Sequence, residues 1–329
     1  MLCLERALHA IIECYLTPEQ QTLFGPMPTT TSTPEDDTHH ANHLRTLHRA
    51  VVKKDGPLFL STLAAINKLL QSLKYPLPDD PFAPAQPNAL KEAVRQWTPT
   101  GLPWQIVQRV IEETYQRTVG PRSDELRKYE AFSSTTYGEL MPSLVAQILK
   151  QTRLKPGMLF LDLGSGVGNV VLQAALQCGC DSFGIEIKAG PAELAREQHR
   201  QLLMRAAMWG VNVGNVELLL RKADVVLVNN KVFDESLNAA LRPKFLDLKD
   251  GAIVISLRPF VQPNARMTER NIDDISTIFD VTQHEYHSMD VSWDCKGGSY
   301  YIHRVDRAGY AAILAQFELA SSRSTRGRR

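Results

Sequence analysis

Asp162 stands two residues ahead of a run of alternate glycines, Gly164, Gly166 and Gly168, and Glu186 follows about twenty residues later. Alternate glycines permit a tight turn whose backbone a ligand can approach without Cβ obstruction. The dinucleotide fingerprint would place its third glycine where Asn169 stands, so the spacing is wrong for that class. A carboxylate just before the turn would repel a pyrophosphate and suits a ligand that carries a positive amino group. S-adenosyl-L-methionine is such a ligand. Glu186, at the end of the next strand, is suited to accept hydrogen bonds from ribose hydroxyls. Asn229 and Asn230 leave a buried strand toward the same edge, where they either steer a nucleophile or the methionine moiety, or cap the strand. No metal is expected. Cys3, Cys14, Cys178, Cys180 and Cys295 lack Cys-x-x-Cys spacing and read as free thiols.

Such residues converge only if strands and helices bring them to one edge. Apolar runs predict strands over 158–163, 182–187, 216–220, 224–229 and 252–257, with helices over about 169–179, 192–209 and 237–248 between them. This order implies an α/β, doubly wound and mostly parallel sheet, with ligands at the carboxyl ends of its strands. Residues 291–294 and 299–305, joined through Lys296-Gly-Gly298, read as a terminal antiparallel hairpin. The whole corresponds to the seven-stranded fold of S-adenosylmethionine-dependent methyltransferases. Ahead of it, helical spacing over 1–24, 60–73, 89–97 and 104–118 predicts a small α-helical unit, interrupted by irregular stretches at 26–40 and 75–88. Segment 120–139, with its aromatics, reads as a linker or lid, and Pro142 opens a helix. The expected division is 1–124 helical, 125–310 catalytic and 311–329 a basic, disordered tail.

Bulk properties narrow the function classes. A chain of 329 residues with 43% hydrophobic and 22% charged residues is that of a globular protein with room for about two domains. A net charge of +1 does not announce a nucleic-acid binder, so any such affinity must be local. Residues 1–16 are broken by Glu5, Arg6 and Glu13 and read as neither signal peptide nor membrane span, and an intracellular protein with no membrane partner is expected.

Five ordered segments together carry a family resemblance: Tyr137-Gly-Glu139, the glycine turn continuing through Asn169 to Gln173, Phe183 to Glu186, Val226 to Asn230, and Val291-Ser-Trp293 with Ser299-Tyr-Tyr301. The chain resembles the disruptor-of-telomeric-silencing (DOT) family of histone-lysine methyltransferases, of fungal character, which lack a SET domain and methylate lysine-79 of histone H3 in nucleosomes. The resemblance implies a role in chromatin regulation and telomeric silencing, and a place in the nucleus. It implies that Tyr137, Gly138, Glu139 and Leu140, with Phe160, Leu161, Asp162, Leu163, Gly164, Ser165, Gly166, Val167, Gly168 and Asn169, line the cofactor, and that Glu186 binds its ribose. It places Asn229, Phe132, Trp293 and Tyr300 around a narrow channel for the target lysine. It puts Arg270 on a loop docking the nucleosome's acidic patch, which the 2A and 2B histones form together. It also puts the tail at 323–329 on nucleosomal DNA and makes ubiquitylated histone H2B a further partner.

The chemistry asks for such a channel. A free lysine titrates at about 10.4, so near neutrality only about one in a thousand is a nucleophile, a deficit of roughly 4 kcal/mol. No strong general base is evident in these motifs. Desolvation by Phe132 and Trp293 would disfavour the ammonium form, while Asn229 and Tyr300 would position the amine.

One departure stands out. Only residues 221–223 separate the predicted strands 216–220 and 224–228, whereas a parallel crossover takes about a dozen or more. Family members carry there an adenine-contacting acid and a helix. The loss predicts a disrupted third strand and weakened cofactor binding, and so the alternative of a catalytically impaired chromatin-binding homologue. A methyltransferase of soluble small molecules is a third possibility, against which the basic tail and aromatic channel argue.

Overall fold

The computed structural model describes residues 1–26, 42–75, 88–97, 101–126, 138–186, 188–215, 223–263 and 278–311. By compactness the chain forms two units, one of Met1–Val110 with Met208–Val211, the other of Ile111–Ala207 with Asn212–Arg329.

The first unit is helical: α1 (Leu2–Tyr15), α2 (Pro18–Thr22), α3 (His43–Val52), α4 (Gly56–Lys74) and α5 (Ala89–Trp97). Side chains fix where these helices start. Thr17 and Gln20 form a reciprocal capping box, Asn42 Oδ1 accepts from Arg45 N (2.9 Å), and Asp55 Oδ1 accepts from Leu58 N (3.0 Å). Leu8, Ile12, Phe24, Leu44, Leu47, Phe59 and Ile66 bury together as its core. Helix α6 (Trp104–Thr118) runs from this unit into the second.

The second unit continues with α7 (Ser123–Leu126), α8 (Pro142–Thr152), β1 (Leu159–Leu163), α9 (Asn169–Cys178), β2 (Asp181–Ile185), α10 (Ala189–Met208) and β3 (Val225–Val228). Then come α11 (Glu235–Leu241), a 3₁₀ stretch (Arg242–Asp247), β4 (Ile253–Ser256), β5 (Phe279–Tyr286) and β6 (Gly298–Val305). The described sheet has the order β2-β1-β3-β4-β6-β5. The first four strands are parallel, with Asp162 opposite Gly184 and Leu227; β6 is antiparallel to both β4 and β5. Alternation along β1, β3 and β4 sends Phe160, Leu227 and Ile255 to one core layer and Leu161, Val226 and Val254 to the other. Every residue of β3 and β4 is buried, as the interior strands of a sheet covered on both faces must be. Among the described residues no helix is long and apolar enough to cross a membrane.

Two expectations change. The partner of β6 is β5, not 291–294: Val291 makes only an isolated bridge to Leu140, and β5 pairs with β6 from Phe279↔Val305 to Tyr286↔Gly298. Strand β5 escapes sequence reading because it lies at the sheet's edge, where Asp280, Thr282, Gln283 and Glu285 dilute its apolar pattern. The predicted helix 237–248 begins at Glu235, capped by Asp234 Oδ1 on Leu237 N (2.7 Å), and tightens at Pro243 into a 3₁₀ turn. The described sheet has six strands, and the predicted strand 216–220 lies outside the described residues. Just before it, the Asn215 carbonyl accepts from Ser182 N (2.8 Å) beside β2. The short 221–223 connection does not dislodge β3. Asp224 N donates to the Leu159 carbonyl (2.8 Å), Asp224 Oδ2 accepts from Leu159 N (2.7 Å), and Lys249 Nζ lies 2.6 Å from Asp224 Oδ1.

Candidate active site

A cleft of about 360 Å³ opens at the carboxyl ends of β1, β2 and β3, where the strand order reverses about β1. Asp162 ends β1. The chain then passes through Gly164, Gly166 and Gly168, whose φ angles of 90°, 55° and 84° are those that favour glycine. Gly164 N and Ser165 N both donate to the Ile185 carbonyl, at 2.8 and 3.0 Å, which ties the turn to the end of β2. Gly168 is the N-cap of α9, beneath the turn.

The carboxylates of the cleft differ in their bonding. Glu186 Oε2 accepts from Gly166 N (2.8 Å) and its Oε1 from Lys188 N (2.7 Å). The Gly166 amide is therefore already engaged by a carboxylate, as a pyrophosphate cradle would not be. Asp162 is only 3% exposed and its carboxylate has no hydrogen-bond donor among the described residues. Burial, and then the charge of Glu186, push its pKa up from 3.8 to about 7. A buried carboxylate without a donor, beside a second one, favours a cationic ligand.

The two amides after β3 separate cleanly. Asn230 is buried and fully engaged: its Oδ1 accepts from Leu257 N (3.0 Å) and Arg258 N (2.8 Å), and its Nδ2 donates to Asn238 Oδ1 (3.1 Å) and the Arg258 carbonyl (3.0 Å). It is a structural clamp. Asn229 lines the cleft, and its side chain makes no hydrogen bond among the described residues.

The opposite wall comes from two short segments clipped together. Met141 N donates to the Asp290 carbonyl (2.9 Å) and Ser292 N to the Glu139 carbonyl (3.0 Å), while Ser292 Oγ accepts from Glu139 N (2.8 Å). This ladder sets Gly138, Glu139 and Trp293 on the cleft. Tyr115 of α6 brings its hydroxyl to 3.3 Å from each oxygen of Glu139.

The structure thus gathers Gly138, Glu139, Leu140, Asp162, Gly164, Ser165, Gly166, Val167, Asn169, Glu186, Asn229 and Trp293 around one cleft. It does not bring Phe160, Leu161, Leu163 or Gly168 there, Gly168 being spent as the N-cap of α9. Strand alternation packs Phe160 and Leu161 into the two core layers and Leu163 against the second. Tyr300 is also placed elsewhere: it is fully buried in the main core, its hydroxyl donates to Gln151 Oε1 and accepts from Gln147 Nε2 (3.2 Å), and its ring stacks on His284. Its register on β6 opposite His284 turns it to the layer covered by α8. Phe132, Tyr137, Arg270 and the tail 323–329 lie outside the described residues. Sequence reading missed Lys188, Lys231, Val232 and Phe233, which also line the cleft, and Tyr115 behind Glu139. The rule that ligands sit at strand carboxyl ends would have flagged Lys231 to Phe233; nothing local marks Tyr115. Among the described residues no group of three or more His, Cys, Asp or Glu could hold a metal ion.

Residues 115–305 match the family model for histone methylation protein DOT1. The chain belongs to that family. It is 39% identical over 300 residues to the histone-lysine N-methyltransferase, H3 lysine-79 specific, of Mycosarcoma maydis, a match covering 87% of this chain and 36% of the relative. Enzymes of the same description from Yarrowia lipolytica and Gibberella zeae are 40% and 43% identical, over 66% and 61% of this chain and 47% and 43% of their own lengths. The chain therefore spans less than half the length of these relatives. A solved RNA methyltransferase from Salinibacter ruber in complex with S-adenosyl-L-homocysteine is a more distant likeness, with a TM-score of 0.34, 18% identity, and 51% of this chain matched to 94% of that one. Every cleft residue named above, with Tyr115, falls within the DOT1 match.

Proposed function

We propose that this chain is a nuclear histone-lysine N-methyltransferase that uses S-adenosyl-L-methionine to methylate lysine-79 of histone H3 in nucleosomes. The observation that carries the reading is the buried Asp162 carboxylate, without a donor among the described residues and beside Glu186, in the cleft of a DOT1-family domain whose relatives are described by that reaction. A ligand with a primary ammonium would give Asp162 the partner that it lacks among the described residues. Glu186, already fixed by two backbone amides, keeps further lone pairs for ribose hydroxyls.

When bound, S-adenosyl-L-methionine supplies a methyl group on a positively charged sulfur. The protein's task is to deliver an uncharged amine. Trp293, Val232 and Phe233 give the cleft an apolar wall that disfavours an ammonium, and Phe132 joins them by family likeness. Asn229, held by the clamped backbone of Asn230, offers a free amide to orient the incoming nitrogen. Tyr137 on the cofactor, Arg270 on the acidic patch of the 2A and 2B histones, the basic tail on DNA, and a response to ubiquitylated H2B rest on family likeness alone.

The impaired-homologue alternative is not favoured, because β3 keeps its register beside β1 and the relatives are described as enzymes. Calorimetry with S-adenosylmethionine and methylation of nucleosomes beside free histone H3 test the proposal together. Micromolar binding and a preference for nucleosomes are expected; no heat below about millimolar ligand would sink it.

A further inference from the structure

We propose that Gly138 is a positioning residue: its bare Cα is the seat of the Trp293 ring, and the clip of Glu139 with Ser292 holds the seat in place. The inference rests on the cleft being a methyl-transfer site, and it assigns the strap ahead of α8 a second task besides facing the cofactor.

A Cβ added to Gly138 would lie 2.6 Å from Trp293 Cε3 and 3.1 Å from Cζ3, well inside the roughly 3.5–4.0 Å of a carbon contact. The obstacle is the rigid ring itself. Nothing polar holds that ring: the indole Nε1 is buried and has no hydrogen-bond partner among the described residues. Its orientation is therefore set by packing, with the main core on one side and the Gly138 backbone on the other. The seat is fixed in turn. Glu139 is bonded through its N–H and carbonyl to Ser292, through its carboxylate to Tyr115, and Asp290 is held by Ser143 Oγ (2.8 Å) and His287 N (2.8 Å). Leu140 and Val291, one rung along, are both buried in the core. The strap that faces the donor thus sets the wall that meets the acceptor.

Gly138 is not among the glycines with positive φ, so alanine there fits the backbone and disturbs only the ring. In the full chain, Gly138→Ala is expected to lower kcat on nucleosomes about 10- to 100-fold and to leave the calorimetric Kd for S-adenosylhomocysteine within about threefold. In a Trp293→Ala background the same change should alter kcat by less than about twofold, because the contact is already gone. An equal loss in both backgrounds would overturn the proposal, as would an about tenfold weaker Kd with unchanged kcat, which marks a mere cofactor contact. The indole ¹⁵N–¹H resonance of Trp293, identified by its absence in Trp293→Phe, gives a readout that needs no activity. It should move in Gly138→Ala, and an unmoved resonance refutes the seat. A wild-type chain that does not methylate nucleosomes would count against the proposed function and leave the resonance test standing.

Discussion

The front of the sheet, at the carboxyl ends of β1 and β3, and its back, along β4 and β6, both enclose polar side chains; apart from Ser256 Oγ of β4, which is buried without a partner among the described residues, they do so in opposite conditions. At the back, His303 is enclosed between the Val254 carbonyl at Nδ1 (3.1 Å) and Phe260 N at Nε2 (3.2 Å), and Tyr300 between two glutamines. At the front, Asp162 and Asn229 have no such partners among the described residues, and the Trp293 indole nitrogen is buried without one. Internally satisfied groups build structure, whereas an unsatisfied buried group is a standing cost that a protein can keep where a ligand will supply the missing partner. Asp162 and Trp293 stand at the cleft, unlike Ser256 Oγ and Arg242 Nε, which also have no partner among the described residues. The difference separates the residues that make this fold from those that use it.

The sharpest break of that comparison is Asp162→Asn. Its folded pKa of about 7 lies above the usual 3.8, so its contribution to stability is fully present below 3.8 and is lost as pH rises toward 7. Wild-type stability should therefore decline across that window by up to about 4 kcal/mol from this group. Asparagine should flatten the decline and raise the urea midpoint at pH 8, while binding of S-adenosylmethionine weakens about 100-fold or more for want of the charge. A variant less stable than wild type at pH 8 would place Asp162 with the satisfied groups after all.

The adjacent amides give the next largest contrast. Asn230→Ala removes four hydrogen bonds and leaves the buried Leu257 amide and the half-buried Arg258 amide without their acceptor, so about 2–4 kcal/mol of stability should be lost in urea unfolding. Asn229→Ala should change stability by less than about 0.5 kcal/mol yet lower kcat about 10- to 100-fold. Equal stability losses would dissolve the distinction. At the back, burial holds the His303 pKa down to about 4, offset in part by its bond to the Val254 carbonyl. Its contribution is present above about 6.5 and lost as pH falls through 4, up to about 3 kcal/mol. His303→Gln, which bonds without titrating, should blunt that acid-side loss and leave the alkaline limb to Asp162.

The front was largely legible because its signals are local. The acid before alternate glycines, the acid at the next strand end and the paired asparagines each mark themselves within a few residues, and strand periodicity brings them to one edge. Sequence reading leans toward Asn229 for the site and Asn230 for the cap; what it could not show was how Asn230 is clamped, which depends on Leu257, Arg258 and Asn238 elsewhere in the chain. The same limit hid β5, whose edge position exposes its polar residues and whose partner lies past a connection at 287–297. Residues 291–294 read as one strand of a terminal hairpin; Val291 and Ser292 serve instead in the clip to Leu140 and Glu139. Tyr115 carried no signal, since an aromatic on an amphipathic helix reads as core.

Tyr300 is the smallest and most pointed test, because family resemblance put it with the front and the structure packs it at the back. Its hydroxyl is spent on Gln147 and Gln151, and burial raises its pKa above the usual 10 against the opposing pull of those bonds. In such a place the ring fills the core and the hydroxyl only satisfies two amides. Tyr300→Phe should lose about 1 kcal/mol in urea unfolding and leave nucleosome methylation within about twofold. A fall in kcat of about 100-fold at unchanged stability would instead mean that the α8 face opens during turnover and gives the hydroxyl to the amine. The glutamines then supply the discriminating control. If Tyr300 acts through them only as a packed group, Gln151→Leu should reproduce the stability loss and spare the rate; if the hydroxyl works in the cleft, freeing it from Gln151 should spare or raise the rate while Tyr300→Phe abolishes it.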